Sequence, residues 1–490
     1  MARSDPFALE SATVTGGVAA ISLHYSKDPQ IQRSLRYSVR DAVSFSVMAG
    51  GLETYFSAFA IFLKASALQV ALVATLPNLL GSLGQLVSAW LGHRINRRKP
   101  IIVRGAYAQA LVLPFMLALP FLFPDYAIPL VMLALTLYYA AAHIIVPQWT
   151  SLMGELVPER RRGRFFAHRT RLATVSSFLA LFTGGLLLHG FNLNHRTALG
   201  FAVLFAAAFC ARLYSAHCLS RMHEPSLHAA SLESLLRLGW LRKPEYAAAK
   251  RFSLFFILMQ SAVGISAPFF SVYMLNVLHF SYLQFMMNTG AAVLVQFLTL
   301  KSWGRVSDIM GNRLVLVTTG SLIPFLPALW LFSTDPWYLF GVQIISGFGW
   351  GGFSLSATNA VYDLIPREKR STYQALQSVL LTCGVFIGGM LGAFLIKILP
   401  RTVEIGNLSY TLGTTLLWVF LISSLARITV SLIFLPRLAE MRKPRRRLSP
   451  YALVYRFTRF NAFMGLMYEV VTRIKKEPAK PKSLAKQEPR

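Results

Sequence analysis

With 490 residues, 54% hydrophobic and only 14% charged, the chain has more apolar surface than one water-soluble core can hide. That excludes an ordinary soluble enzyme, and the three cysteines, Cys210, Cys218 and Cys383, lie in or beside apolar runs without a disulfide or metal-ligand spacing. A net charge of +29 would suggest nucleic acid in a soluble protein, but here it is expected to face anionic lipid, so no nucleic-acid partner is expected.

Residues 1–38 lack the basic start and apolar core of a signal peptide and read as a cytoplasmic arm. A helix needs about 20 apolar residues to cross a bilayer. That ruler predicts twelve spans, at 41–63, 67–91, 101–123, 127–149, 170–190, 196–219, 252–278, 282–303, 313–332, 336–361, 372–399 and 409–435. Residues 39–221 then form an N-terminal six-helix bundle, and 251–436 a C-terminal one. The cytoplasmic linker, 222–250, contains SLESLLRLGWL, which reads either as a short amphipathic helix or as a solvated connection. The tail, 437–490, carries 15 lysines and arginines against 4 acids, with interleaved aromatics, and predicts a basic amphipathic segment held on anionic headgroups.

Lysine and arginine resist translocation, so their distribution sets orientation. Odd-numbered connections hold only Lys64, Arg196, Lys397 and Arg401, whereas even-numbered ones hold clusters such as Arg94 to Lys99, Arg160 to Arg164 and Arg367 to Arg370. Both termini are therefore expected in the cytoplasm.

The spans repeat. His93 stands over Asp308 and Arg212 over Arg427 at an offset of 215, while ELVPERRRG from Glu155 matches DLIPREKRS from Asp363 at 208. Two duplicated bundles around a midplane site are the sequence mark of secondary transporters. GRVSDIMGNR, residues 304–313, resembles the motif Gly-x-x-x-Asp-Arg-x-Gly-Arg-Arg of the major facilitator superfamily. Gly304, Asp308, Gly311 and Arg313 fit it, and Ile309 replaces its first arginine. In the first half AWLGHRINRR keeps Arg94, Arg97 and Arg98, with Ala89, His93 and Asn96 in place of Gly, Asp and Gly.

The resemblance implies an all-α membrane protein of twelve helices in two pseudo-symmetric bundles, monomeric, multi-pass, in a bacterial inner membrane. It also implies a latch, in which Asp308 approaches Arg162, Arg164 and Arg169 and the first-half turn approaches Arg370. His93, lacking a permanent negative charge, reads either as a pH-sensitive substitute or as a tolerated surface residue.

Ionisable groups deep in a membrane cost roughly 2.5 to 3.5 kcal/mol each and call for a reason. Glu53, following Gly50 and Gly51, is the deep acid expected here, near the midplane of span one. Desolvation favours the protonated form of such a carboxyl, which releases its proton when a cavity admits water. That is the behaviour of a proton-coupling group, although a structural carboxyl bonded to a neighbouring helix fits too. Tyr55, Gln109, His143, Gln260, Gln296 and Gln343 are further candidates for substrate or proton contact, and Asn288 and Asn359 weaker ones; each serves equally to bridge helices. Arg212 and Arg427 read as paired structural residues.

No His-Glu-x-x-His, Gly-x-Ser-x-Gly or nucleotide loop is present, so no catalytic residue, metal or cofactor is expected. The reading is a secondary transporter moving a small organic solute, proton-coupled through Glu53. The alternatives are an amphiphile or lysolipid carrier on the same fold and, more remotely, a non-transporting membrane sensor or membrane enzyme.

Overall fold

The computed structural model describes residues 25–26, 28–95, 97–158, 161–225, 244–366, 370–400, 402–405, 408–411 and 414–438. The predicted arm up to residue 24, the SLESLLRLGWL segment and the tail from residue 439 lie outside the described residues.

Helix α1 (Pro29–Leu52) begins well before residue 41, so part of the predicted arm belongs to span one. The reason is local. Asp28 caps the helix, its carboxylate accepting from the N–H of Gln30 at 2.8 Å, and Pro29 supplies a ready-made first turn. A 3₁₀ turn, Glu53–Tyr55, separates α1 from α2 (Phe56–Phe62). Then follow α3 (Ala67–Ser82), α4 (Gly84–Ile95), α5 (Arg98–Leu122), α6 (Ala127–Leu156), α7 (Arg162–Leu193) and α8 (Thr197–Ser220). The second half consists of α9 (Ala247–Val272), α10 (Tyr282–Met310), α11 (Asn312–Leu322), α12 (Pro336–Leu364), α13 (Arg370–Ile398) and α14 (Leu416–Phe434).

Among the described residues, ten helical stretches are long and apolar enough to cross a membrane. Among the described residues, one element, between α13 and α14, departs from the all-α expectation. Strands β1 (Thr402–Ile405) and β2 (Leu408–Thr411) pair antiparallel, Thr402 opposite Thr411, and α14 starts only at Leu416. Threonine, valine and isoleucine flanking Gly406-Asn407 favour a hairpin over a helical start at 409.

The duplication extends to backbone detail. Ser66 and Ser281, 215 residues apart, each open a helix with a capping box, to Gln69 and Gln284. Lys64 and His279, at the same spacing, both take a left-handed backbone, φ 62° and 51°, in the turn before it. Packing repeats as well: α1 lies against α7 and α8 as α9 lies against α13 and α14, and α5 packs on α6 as α11 packs on α12.

Buried apolar residues fall into clusters that differ between the two ends of the molecule. At the end carrying the GRVSDIMGNR-type turns, here the motif face, each bundle has its own. One holds Leu35, Ile102, Leu152 and Phe165, the other Phe252, Phe255, Phe353 and Tyr373. At the far end one continuous cluster takes residues from both bundles, including Phe59, Phe201, Phe269 and Phe285. The bundles meet through α3 against α13 and α7 against α10.

Candidate functional site

The N-terminal bundle buries a set of charged and hydroxyl groups. Glu53 sits at the break after α1, where the chain leaves α-helical geometry at Leu52, φ −128° and ψ −46°. Gly50, just before it, lies against the Ser177 backbone of α7, so close that an added Cβ would come within 2.6 Å of the Ser177 Cα. That approach locks α1 to α7 and holds the Glu53 turn in place. The Glu53 Oε1 accepts a 2.6 Å hydrogen bond from the hydroxyl of Tyr138 on α6, which is itself fully buried.

A second acid, Asp41, is not singled out by hydropathy, because the predicted span begins at that residue. It is 4% exposed. Its Oδ2 takes Arg169 Nη2 at 3.2 Å, and its Oδ1 accepts from Ser215 Oγ at 2.7 Å. Ser215 Oγ in turn accepts from Arg212 Nη1 at 2.7 Å. Arg169 also stacks on the Trp149 ring at 4.3 Å, and Arg212 on Phe45 at 5.0 Å. Arg212 interacts electrostatically with both Asp41 and Glu53. Two carboxyls and two guanidiniums thus share one interior, an arrangement tolerable in low dielectric only because the charges are paired and bonded.

The corresponding arginine of the second bundle, Arg427, is 3% exposed. It donates to Ser266 Oγ at 2.8 Å and to the Ile323 carbonyl at 3.4 Å. Both arginines are interior residues, as their matching positions suggest, but only Arg212 stands beside a carboxylate among the described contacts.

A third polar group spans the two bundles. His143 Nδ1 faces Gln85 Nε2 at 3.1 Å and its Nε2 faces Asn78 Oδ1 at 3.0 Å; Gln85 Nε2 also donates to Ser378 Oγ on α13 at 3.2 Å. With the Gln85 amide nitrogen turned to it, Nδ1 accepts and Nε2–H donates, which fits a neutral ring. Thr382 donates to Ser82 Oγ at 3.2 Å one turn away.

The other sequence candidates are dispersed. Tyr55 spends its hydroxyl on the Leu181 carbonyl at 2.6 Å. Gln109 is fully buried and neither of its side-chain polar atoms has a described partner; the side-chain carbonyl oxygen of Gln260 lacks one too. Gln296 and Gln343 are half-buried. Asn288 donates to the Gln284 carbonyl at 3.1 Å, and Asn359 to Asn312 Oδ1 at 3.3 Å.

At the motif face, the described side chains tie each turn into its own bundle. Arg98 pairs with Glu155 at 2.7 Å and reaches Ser151 at 3.0 Å. Asn312 bonds Ser307 and, at 2.6 Å, Asp363, the counterpart of Glu155. Arg313 reaches the Leu438 carbonyl at 2.6 Å, beyond the last helix. Gly311, at φ 93°, turns α10 into α11, a conformation that favours glycine. Gly304 lies in α10. Arg94 stacks on Trp90 at 5.3 Å, and Arg97 is exposed. Arg162 donates to the Gly154 carbonyl at 2.6 Å and Arg164 is exposed. The side chains of His93, Asp308 and Arg370 lie outside the described residues.

Two packed sets of long apolar helices, with a buried charge cluster in one and a polar seam between them, make up a multi-pass membrane protein. Residues 252–478 match the model of the Major Facilitator Superfamily. Its fold is similar to the crystal structure of nucleoside transporter NupG. The TM-score is 0.63 at 14% identity, over 82% of this chain and 98% of that one. It is also similar to a bacterial homologue of the iron transporter ferroportin in an inward-facing state, at TM-score 0.63 and 12% identity, over 83% and 99% of the two chains. At these identities the likeness is one of fold. Among curated proteins, a gentisate transporter of Corynebacterium glutamicum is 29% identical over 104 residues, 21% of this chain and 22% of that protein. A hexose transporter of Saccharomyces cerevisiae is 29% identical over 85 residues, 17% of this chain and 15% of that one. The chain thus matches about a fifth or less of the length of these relatives.

Proposed function

We propose that the protein is a secondary active transporter that moves a small polar organic solute by alternating access, coupled to protons through Glu53. Its twelve spans would place both termini in the cytoplasm of a bacterial cell, as the lysine and arginine distribution requires. The observation that carries the coupling is the Glu53–Tyr138 hydrogen bond at the α1 break, within the field of Arg212. A carboxyl so placed exchanges a proton only when the cavity admits water, and the Tyr138 hydroxyl stabilises its ionised form at that moment.

Alternating access is supported by the apolar clusters, separate at the motif face and merged at the far end. That is the arrangement expected of two bundles that separate at the motif face and stay joined at the far end, the motif face being cytoplasmic in this reading. The cargoes named for the similar proteins, gentisate, hexoses, nucleosides and iron, are small and polar, which favours a polar solute over an amphiphile.

The test is a thermal-unfolding screen of the purified full chain against polar metabolites and single-chain amphiphiles at two pH values. A ligand confined to the folded state raises apparent stability by roughly 2.7 kcal/mol at a hundredfold excess over Kd. A polar ligand whose effect depends on pH and disappears in Glu53→Gln supports the proposal. Hits restricted to amphiphiles and indifferent to Glu53 would replace it with a lipid-carrier reading.

A further inference from the structure

One charged surface feature lies apart from the buried transport machinery. At the motif face two adjoining cavities, about 600 Å³ and 400 Å³, open between the start of α1, the start of α5 and the end of α8. Arg33, Arg97, Lys99, Arg221 and His223 line them, together with Glu224. Among the described residues, four permanent cations therefore face a single carboxylate. That carboxylate is already engaged: Glu224 Oε1 accepts from the backbone N–H of Arg98 at 2.5 Å and of Lys99 at 3.1 Å, capping α5. The cleft keeps an unbalanced positive charge.

An apolar ridge descends from it. Val103 lines the larger cavity, and Tyr107, Leu111 and Phe115 follow along α5 at four-residue spacing. These three are 37%, 53% and 62% exposed, large side chains turned away from the protein interior along a helix long and apolar enough to cross a membrane. Tyr37, which receives Arg33 at 5.9 Å and Arg40 at 5.6 Å over its ring, adds the aromatic and basic mixture typical of the headgroup level. The charged cleft and the apolar ridge lie in the order of a lipid's own parts, headgroup outward and chains inward.

We propose that this cleft is a binding site for the phosphate headgroup of an anionic phospholipid, with the acyl chains laid along the Tyr107–Leu111–Phe115 ridge. A zwitterionic headgroup would bring its own cation among four others, so a net negative lipid is selected. A soluble phosphate would satisfy the charges but gain nothing from the ridge. Because the site ties α1, α5 and α8 together at the motif face, its occupancy stabilises the N-terminal bundle rather than contacting the transported solute.

The full chain, delipidated in a neutral detergent, would be titrated with phosphatidylglycerol, phosphatidylcholine and inorganic phosphate, with bound lipid counted by native mass spectrometry and stability followed by thermal unfolding. Phosphatidylglycerol should bind and stabilise, and the other two should not. The exposed pair Arg33→Gln with Arg221→Gln should weaken phosphatidylglycerol binding about thirtyfold, at about 1 kcal/mol for each cation removed near an anionic surface. Arg221→Gln alone should weaken it about fivefold by the same reckoning, which keeps the test intact if the double variant misfolds. Arg251→Gln, an equal charge change on the exposed start of α9, should bind as the unaltered chain does. Unchanged phosphatidylglycerol affinity in the Arg33/Arg221 variants would overturn the site. Equal protection by inorganic phosphate would overturn the lipid assignment.

Discussion

Replacing Asp41 by asparagine isolates the buried charge cluster of the first bundle. The substitution preserves volume and leaves an oxygen to accept from Ser215, now at 2.7 Å, so the hydrogen-bonded frame survives. What disappears is the negative charge facing Arg169 at 3.2 Å and, through Ser215, Arg212. Removing one member of a buried ion pair costs about 3–5 kcal/mol, because the other charge is left without compensation. Arg169 keeps 18% side-chain exposure and the Trp149 ring at 4.3 Å, which places the expected loss near the lower limit, about 3 kcal/mol. Thermal or denaturant unfolding of the purified chain in detergent, followed by tryptophan fluorescence, reads it directly. Arg169→Gln and the double variant complete a cycle in which the second substitution should add less than about 1 kcal/mol, since the two side chains share one interaction. A loss under about 0.5 kcal/mol for Asp41→Asn would refute the account of an ionised, paired carboxylate.

Tyr138→Phe removes the hydroxyl from Glu53 and should leave folding nearly intact, at about 1–2 kcal/mol, while shifting the pH dependence of transport; an unaltered pH profile in a flux assay would count against the pair as a proton site. Gly50→Leu should abolish expression of folded protein, because the Ser177 backbone occupies the space a side chain would need, and size-exclusion chromatography after detergent extraction checks it. Cysteines at Gln85 and Ser378, residues hydrogen-bonded across the bundles at 3.2 Å, should crosslink in the resting protein and arrest turnover; turnover undiminished after crosslinking would show that this seam does not move. Ser66→Ala and Ser281→Ala should each cost about 0.5–2 kcal/mol in thermal unfolding, and nearly equally, if the capping boxes are equivalent copies.

Most of the architecture is legible in the sequence because membrane solvent enforces it. Long apolar runs and the periodic placement of arginines follow from the bilayer, and the GRVSDIMGNR turn requires its glycine at φ 93°. Hydropathy alone misplaces the start of α1, whereas Asp28-Pro29 is a helix-opening signal and the turns that follow precede the apolar run. The same displacement hides Asp41 by putting it at the membrane edge. The second strand of the hairpin at 402–411 is likewise absorbed into span twelve, although Gly-Asn between Ile405 and Leu408 marks a turn. The Ser-x-x-Gln capping boxes at Ser66 and Ser281 are equally open to reading. Partner identity is not. Nothing in one chain's order of residues says that Tyr138 meets Glu53, that Arg169 meets Asp41, or that His143 reaches Ser378 through Gln85, because each contact joins helices far apart in sequence.

The most direct test of proton-coupled solute transport reconstitutes the full chain in liposomes containing a pH-sensitive dye. Hexoses, nucleosides, amino acids and aromatic acids are then added outside, one at a time. The account predicts that at least one solute drives proton movement in the unaltered protein, and that Glu53→Gln abolishes this movement while still exchanging the same solute across the membrane. Solute accumulation without proton movement, or proton movement that persists in Glu53→Gln, would contradict it.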